Sequence, residues 1–174
     1  PLAGGGAQYT YVDNLGVLGF AESEVAAGLG AATKRFDAAG LLTHETDLQR
    51  GRGETLGCVL DGTALATRLT PKRYWRVRRG LEWALGCRAL PGWAWEIVLG
   101  HCTYCAMCNR DVLPVFNSIY KFTAANYRQG APLWTTARAE LVAFRGLMPL
   151  LRGDWALPWS PLVCLSDASE RGHA

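Results

Sequence analysis

Apolar positions form short alternating blocks near the start of the chain and recur at helical spacing further along. Two apolar runs, QYTYV and LGVLGF, flank Asp13-Asn14. Because Asx residues tolerate positive φ in a two-residue connection, this pattern predicts a β-hairpin that turns at that pair. Apolar residues at helical spacing then predict a helix over 22–39, with Gly40 at its C-terminal cap.

A second hairpin and a series of helices are predicted downstream. The run TLGCVLDGTALATRL predicts two strands that turn at Asp61-Gly62, and Thr70-Pro71 is typical of a helix N-terminus. Further elements are predicted as helices over 93–108, 111–127 and 135–151 and as a buried strand over 162–166. This order predicts an α+β fold, in which two hairpins surround a helix and further helices lead to a new strand.

The composition favours a folded protein inside the cell. Hydrophobic residues make up 49% of the 174 residues and charged residues 19%, which supports a packed core. No apolar run approaches the roughly 18 residues of a membrane span, so no membrane partner is expected. The cysteines are clustered, which predicts a reducing, intracellular location in cytoplasm or nucleus. Because the chain starts at Pro1 and ends in DASERGHA, we expect an internal segment of a longer protein.

The net charge of +3 is concentrated in one segment. Residues 68–88 hold seven basic side chains and one acid, Glu82, so the local charge is +6 and the remainder carries −3. Lys72, Arg76 and Arg79 share one face of the predicted helix at i, i+4 and i+7 spacing. Such a face can be a solvated surface, but an excess this large favours binding to a polyanion, most often nucleic acid.

Six stretches follow one another along the chain: YVDN, FDAAGLLTHET, ETLGCVLDG, LTPKRYWRVRRGLEWAL, LGHCTYCAMCNRDVLPVFNSIYKF and LVCLSDASERG. In this order they resemble retroelement reverse transcriptases that carry a ribonuclease H module, and they are most similar to the tyrosine-recombinase (DIRS-like) type. The first three resemble the Tyr-x-Asp-Asp catalytic hairpin, the palm helix and the hairpin that grips the primer end. The last three resemble two thumb segments and the first strand of ribonuclease H.

The resemblance implies catalytic and metal-binding roles for three residues. In nucleotidyl transfer, two divalent ions held by carboxylates activate the attacking hydroxyl and neutralise charge on the phosphates. Asp13 is therefore expected as a Mg²⁺ ligand of the polymerase, and Asp167 as one of the ribonuclease H. Asn14 stands where the family has a second Asp, and its carbonyl oxygen can coordinate a cation but brings no charge.

The resemblance also implies contacts with template and primer. Tyr11 is expected close to the primer end, with Leu56 and Gly57 in the hairpin that grips it. The basic side chains of the thumb helix are expected to follow the duplex backbone without reading its sequence. These basic residues are Lys72, Arg73, Arg76 and Arg79.

The implied modules are a palm end over 1–67, a thumb over 68–130, a connection over 131–160 and a truncated ribonuclease H start over 161–174. The chain would then belong to an RNA-directed DNA polymerase, with an RNA or DNA template-primer, deoxynucleotides and the remainder of the polyprotein as partners. The family's other palm Asp and the further ribonuclease H carboxylates have no counterpart here. Whether the chain is an enzyme therefore stays open, and we expect it to be inactive alone.

Three other interpretations remain. On its own, Asp13-Asn14 is a common turn pair with no further role. The chain could be a non-catalytic retroelement remnant that binds nucleic acid, which Asn14 favours. It could also be a small helical metal-binding protein built on HCTYCAMC, although cysteines at i, i+3 and i+6 of a helix do not converge on one ion. The ligands of that site would be His101, Cys102, Cys105 and Cys108.

Overall fold

The computed structural model describes residues 6–12, 14–158, 168–169 and 172–173. The chain divides into two compact units, Pro1–Gly51 and Arg52–Ala174. Helices and small antiparallel sheets build the described residues, so the predicted α+β class is confirmed. The assignment of segments to polymerase modules stays a prediction.

The first unit begins with a hairpin whose register differs from the predicted one. Strand β1 (Ala7–Tyr11) pairs antiparallel with strand β2 (Asn14–Leu18), and Tyr11 lies opposite Asn14. The ring of Tyr9 lies across Gly16, where an added Cβ would be 2.0 Å from Tyr9 Cε1, and this packing fixes the register. The predicted turn at Asp13-Asn14 is therefore wrong by one residue, because Asn14 belongs to the strand.

A single helix, α1 (Glu22–Ala38), completes the first unit. Gly40, with φ of 71°, follows its C-terminus, and the Leu41 N–H donates to the Phe36 carbonyl oxygen at 2.9 Å, as the predicted cap requires. None of the described side chains in residues 6–51 is buried. The first unit thus contains no hydrophobic core of its own among its described residues.

The second unit contains a four-stranded antiparallel sheet in the order β3-β4-β5-β8. Its strands are β3 (Arg52–Thr55), β4 (Cys58–Asp61), β5 (Ala66–Leu69) and β8 (Arg152–Asp154). The hairpin between β4 and β5 is confirmed, but its connection is the four-residue loop 62–65 rather than a two-residue turn. The Asp61 carboxylate accepts hydrogen bonds from the backbone N–H groups of Thr63 and Ala64 and so stabilises the longer loop.

Four helices pack beside this sheet. They are α2 (Pro71–Gly86), α3 (Gly92–Ala106), α4 (Ser118–Ala125) and α5 (Thr135–Leu147). Thr70 caps α2 through its hydroxyl, which accepts a hydrogen bond from the Arg73 N–H at 3.2 Å, and Pro71 is the first helical residue, as predicted. Two short strand pairs complete the unit: β6 (Leu90–Pro91) with β7 (Gly130–Ala131), and β9 (Ala168–Ser169) with β10 (Gly172–His173).

The hydrophobic core lies among these helices. Trp95, Phe122 and Phe144 are its largest fully buried side chains, and the ring centroids of Phe116 and Phe144 are 4.9 Å apart. Smaller residues fill the space between the helices. They include Val77, Leu81, Leu99, Cys102, Cys105, Ile119, Leu141 and Met148. Burial of this many apolar side chains makes the helices and the sheet one unit.

Two predicted helices are shorter than expected. Residues 111–127 form a 3-10 helix (Arg110–Val115) and then α4, because Pro114 has no N–H to donate and disfavours a continuous α-helix. Similarly, α5 ends at Leu147 and is followed by a 3-10 turn that contains Pro149. The predicted strand 162–166 lies outside the described residues.

Glu140 of α5 holds the start of α4. Its carboxylate accepts backbone hydrogen bonds from Asn117 at 3.2 Å, Ser118 at 2.7 Å and Ile119 at 2.9 Å. These N–H groups have no partner inside α4, and a negative charge at the N-terminus also interacts favourably with the helix dipole. Burial alone would raise the pKa of Glu140, but these hydrogen bonds outweigh it and hold the pKa below its ordinary value.

We expect Glu140→Gln to lower the free energy of unfolding by about 1–2 kcal/mol at neutral pH, because the mutation removes charge-assisted hydrogen bonds. A lowered folded-state pKa stabilises the protein above the unfolded-state pKa of about 4.3, and this contribution disappears as the pH falls through the folded-state value. Urea unfolding at pH 7 and pH 3 measures both effects. The exposed Glu45→Gln is the control, and a mutational difference that persists undiminished in acid would contradict the assignment.

Candidate nucleic-acid interface

The turn between β3 and β4 has an unusual backbone. Thr55 pairs with Cys58, so Leu56 and Gly57 form a two-residue turn with φ of 51° and 73°. Such turns favour Asn or Gly at the first position, because a branched side chain at positive φ is strained. The stability of the turn alone therefore does not explain why a leucine occupies position 56.

Residues from α2 and α3 fix this turn. The Tyr104 hydroxyl donates a hydrogen bond to the Leu56 carbonyl oxygen, and the Thr70 N–H donates to the Gly57 carbonyl oxygen at 3.1 Å. The Arg73 guanidinium lies over the Tyr104 ring, 4.3 Å from its centroid. An added Cβ on Gly57 would be 2.2 Å from Arg73 Nε, so only glycine allows this approach. The structure thus brings together Leu56, Gly57 and Arg73.

The other predicted basic residues form an exposed face on α2. Lys72, Arg76 and Arg79 are exposed, and within the described part of the chain they make no ion pair. By contrast, Arg78 is half-buried and has partners: its Nε is 3.3 Å from Glu82 Oε1, and its guanidinium donates to the Arg145 carbonyl oxygen at 3.4 Å. The basic residues of α2 therefore fall into two groups: one group is exposed, and the other bonds to neighbouring parts of the fold.

Two tryptophans lie on the same side of α2, and the sequence analysis assigned them no role. Trp75 is 52% exposed and Trp83 is 65% exposed. The Arg79 guanidinium is 6.0 Å from the centroid of the Trp75 ring. Trp75, Arg79 and Trp83 follow one another at i, i+4 and i+8. This spacing in the sequence already indicated that the three residues share one face of the helix. We call Lys72, Trp75, Arg76, Arg79 and Trp83 the α2 face.

The predicted catalytic residues are only partly described. Tyr11 and Asn14 face each other at the end of the first hairpin, and Tyr11 is 54% exposed. Asp13 and Asp167 lie outside the described residues. Within the residues that are described, no group of three or more His, Cys, Asp or Glu side chains could hold a metal ion. The expected Mg²⁺ ligands Asp13 and Asp167 therefore remain predictions.

Within the described residues, the His and Cys side chains of the HCTYCAMC segment do not converge into a group that could hold a metal ion. Residues 101–106 are helical in α3, where His101 is exposed while Cys102 and Cys105 are fully buried. Burial raises the pKa of Cys102 to about 12 and that of Cys105 to about 11, so both are neutral thiols packed in the core. The geometry thus gives no support to the metal-binding interpretation.

Comparisons with protein-family models, with curated proteins and with solved structures find no match to this chain. The class of this protein is therefore inferred only from its fold and from the candidate interface. Within the described residues, none of the helices combines the length and apolar character needed to cross a membrane.

We expect Gly57→Ala to lower the free energy of unfolding by more than about 1 kcal/mol, because the mutation adds a Cβ at positive φ and displaces Arg73. Gly80→Ala is the matched control, since Gly80 lies in α2 with open space around it. The control should stabilise the protein by up to about 1 kcal/mol. Urea unfolding of both variants tests this, and equal effects would argue against a constrained turn.

Proposed function

We propose that the chain is part of an RNA-directed DNA polymerase of the retroelement type, comprising the palm end, the thumb, a connection and the start of a ribonuclease H module. The complete protein would catalyse two-metal nucleotidyl transfer, and this chain would be inactive alone. The order of the six stretches supports the class. The described structure agrees with it at the level of two hairpins around a helix, followed by a basic helix.

The observation that carries the proposal is the α2 face. Lys72, Arg76 and Arg79 have no ion-pair partner among the residues that the structure describes. Three such cations on one helix can neutralise backbone phosphates and release counterions, which gives affinity without sequence preference. The two exposed tryptophans add surfaces on which bases or sugars can pack. A run of charges alone is readily explained as a solvated helix surface. Two large aromatic side chains exposed among those charges are harder to explain in that way.

The constrained turn supports the predicted primer contact. A two-residue loop whose backbone is bonded to two helices presents its outer surface with little freedom. Such rigidity is what the positioning of a reacting end requires. In this proposal Leu56 and Gly57 contact the primer. Arg73 packs beneath the turn and holds it in position, in addition to binding phosphate.

The first hairpin would supply the polymerase chemistry. Asp13 would hold Mg²⁺, Tyr11 would lie near the primer end, and Asp167 would be the first ribonuclease H ligand. Bound Mg²⁺ would activate the attacking hydroxyl and neutralise the triphosphate. Asn14, the first residue of β2, would offer its side-chain amide to the site and would contribute no negative charge.

A second candidate function is nucleic-acid binding without catalysis. The neutral Asn14 favours it, since one charge of the family's hairpin is missing. This candidate retains the α2 face but requires no metal at the hairpin. The two candidates therefore agree on duplex binding and differ on primer extension.

Replacing Arg76 and Arg79 together with Gln should weaken binding of this chain to an RNA–DNA duplex. It should also reduce the slope of log K against log salt concentration by about 1.8, because two phosphate contacts are lost. Fluorescence anisotropy across a salt series measures both quantities. The control is Lys121→Gln with Arg128→Gln, an equal charge change at exposed positions outside α2. A slope shared by both double variants would reject the α2 face.

In the complete polymerase, Asp13→Asn should abolish primer extension, because it removes a metal-binding charge. Asn14→Asp should retain or raise activity, since it restores the family's second carboxylate. A primer-extension assay with Mg²⁺ compares the variants with the parent enzyme. Full activity of Asp13→Asn would exclude its role, and an inactive parent with intact duplex binding would favour the non-catalytic candidate.

A further inference from the structure

Two cysteines that are distant in sequence meet beside the constrained turn. The Sγ atoms of Cys58 and Cys108 are 3.9 Å apart, although the residues are 50 positions apart in the chain. Cys58 is the first residue of β4 and is half-buried, and Cys108 is buried just after α3. Both thiols are free. This pair has no role in the polymerase proposal.

The backbones around both sulfurs are fixed. Cys58 pairs with Thr55 across the turn and with Leu69 in β5. The Cys108 N–H donates to the Cys105 carbonyl oxygen at 3.2 Å, and β8 packs closely on Cys108, where an added Cβ on Gly153 would be 3.0 Å from its carbonyl oxygen. The two sulfurs are therefore held near each other by the fold, and they must move closer to reach the disulfide bond length of about 2.05 Å.

The two thiols differ in reactivity. The hydrogen bond with Cys108 lowers the pKa of Cys58 to about 7 against the opposing effect of burial, and the positive charge of Arg73 lowers it further. The same hydrogen bond and burial raise the pKa of Cys108. Since the thiolate is the nucleophile, Cys58 is the member of the pair that reacts first near neutral pH, and Cys108 is placed to resolve the product.

We propose that Cys58 and Cys108 are a redox-active pair that forms a reversible disulfide when the protein meets a peroxide. The Cys58 thiolate attacks one peroxide oxygen and the O–O bond breaks, which gives the Cys58 sulfenic acid and, after protonation, one water. The Cys108 sulfur then attacks the Cys58 sulfur, loses its proton and displaces hydroxide, which leaves as a second water. Two thiols and hydrogen peroxide thus give one disulfide and two waters, and a dithiol reductant reverses the change.

The disulfide would join the β3–β4 hairpin covalently to the end of α3. It would close a long loop of chain and so resist unfolding. It would also remove the thiolate beside Arg73, next to the turn that Arg73 and Tyr104 hold. Oxidation would therefore act on the turn and its supports. The formation of the disulfide can be measured on the chain by itself, so the result does not depend on whether the chain binds nucleic acid.

The test is peptide mapping of the folded chain after treatment with hydrogen peroxide. We expect a single linked pair, Cys58 with Cys108, formed with the loss of two hydrogen atoms, reversed by dithiothreitol, and accompanied by a higher melting temperature. Cys87→Ser is the control and should cross-link like the parent, because Cys87 is a half-buried cysteine whose thiol donates to the Trp83 carbonyl oxygen.

Single variants test the order of events. Cys108→Ser should accumulate a Cys58 sulfenic acid that a dimedone probe captures, and Cys58→Ser should form neither the disulfide nor the adduct. Because mapping of the unmutated chain is decisive by itself, a variant that fails to fold does not block the test. The proposal is overturned if the folded chain keeps both thiols at peroxide concentrations that oxidise the urea-unfolded chain, or if Cys58 links to another cysteine.

Discussion

The sheet and the helices of the second unit are joined at the Leu56–Gly57 turn, where the Tyr104 hydroxyl donates a hydrogen bond to the Leu56 carbonyl oxygen and Arg73 lies over the Tyr104 ring. The Gly57 carbonyl oxygen accepts from the N–H of Thr70, and Thr70 also caps α2. One short turn therefore links the β3–β4 hairpin to the N-terminus of α2 and to α3. Cys58 directly follows this turn, and its Sγ lies 3.9 Å from that of Cys108 after α3.

The same helix divides its basic residues between structure and surface. Positions 72, 76 and 79 fall on the exposed side of α2, while Val77, Leu81, Ala84 and Leu85 are buried on the other side. Arg73 and Arg78 lie between these sides, and each finds a partner: an aromatic ring for one, a carboxylate and a carbonyl oxygen for the other. A charge run counted in the sequence therefore overstates the number of cations available to a ligand, and the cations without ion-pair partners are the informative ones.

The sequence was sufficient where the signal is local. Thr70-Pro71 predicted the start of α2, and the spacing of Lys72, Arg76 and Arg79 predicted an exposed basic face. The sequence was insufficient where a contact with a residue distant in the chain determines the local structure. RGD at 152–154 is a strand only because β5 pairs with it, and the start of α4 depends on Glu140 from another helix. The roles of Tyr104 and Cys108 required the same tertiary contacts. Asp13 and Asp167 stay predictions.

Among the described residues, three hairpin connections each hold a non-glycine residue at positive φ. Leu56 at φ of 51° and Val12 at φ of 53° are branched residues in a conformation that costs them about 1–2 kcal/mol each, and Asn or Gly would avoid this cost. Leu56 is half-buried, so packing offsets part of its strain, but Val12 is 92% exposed and gains little from packing. Strained backbone of this kind concentrates at functional sites. Leu65, in the loop between β4 and β5, has the same kind of backbone conformation with φ of 45°, and no role is assigned to it. Positive φ at a hairpin is therefore a cost that these connections share, and a functional role has to be argued from the contacts of each turn.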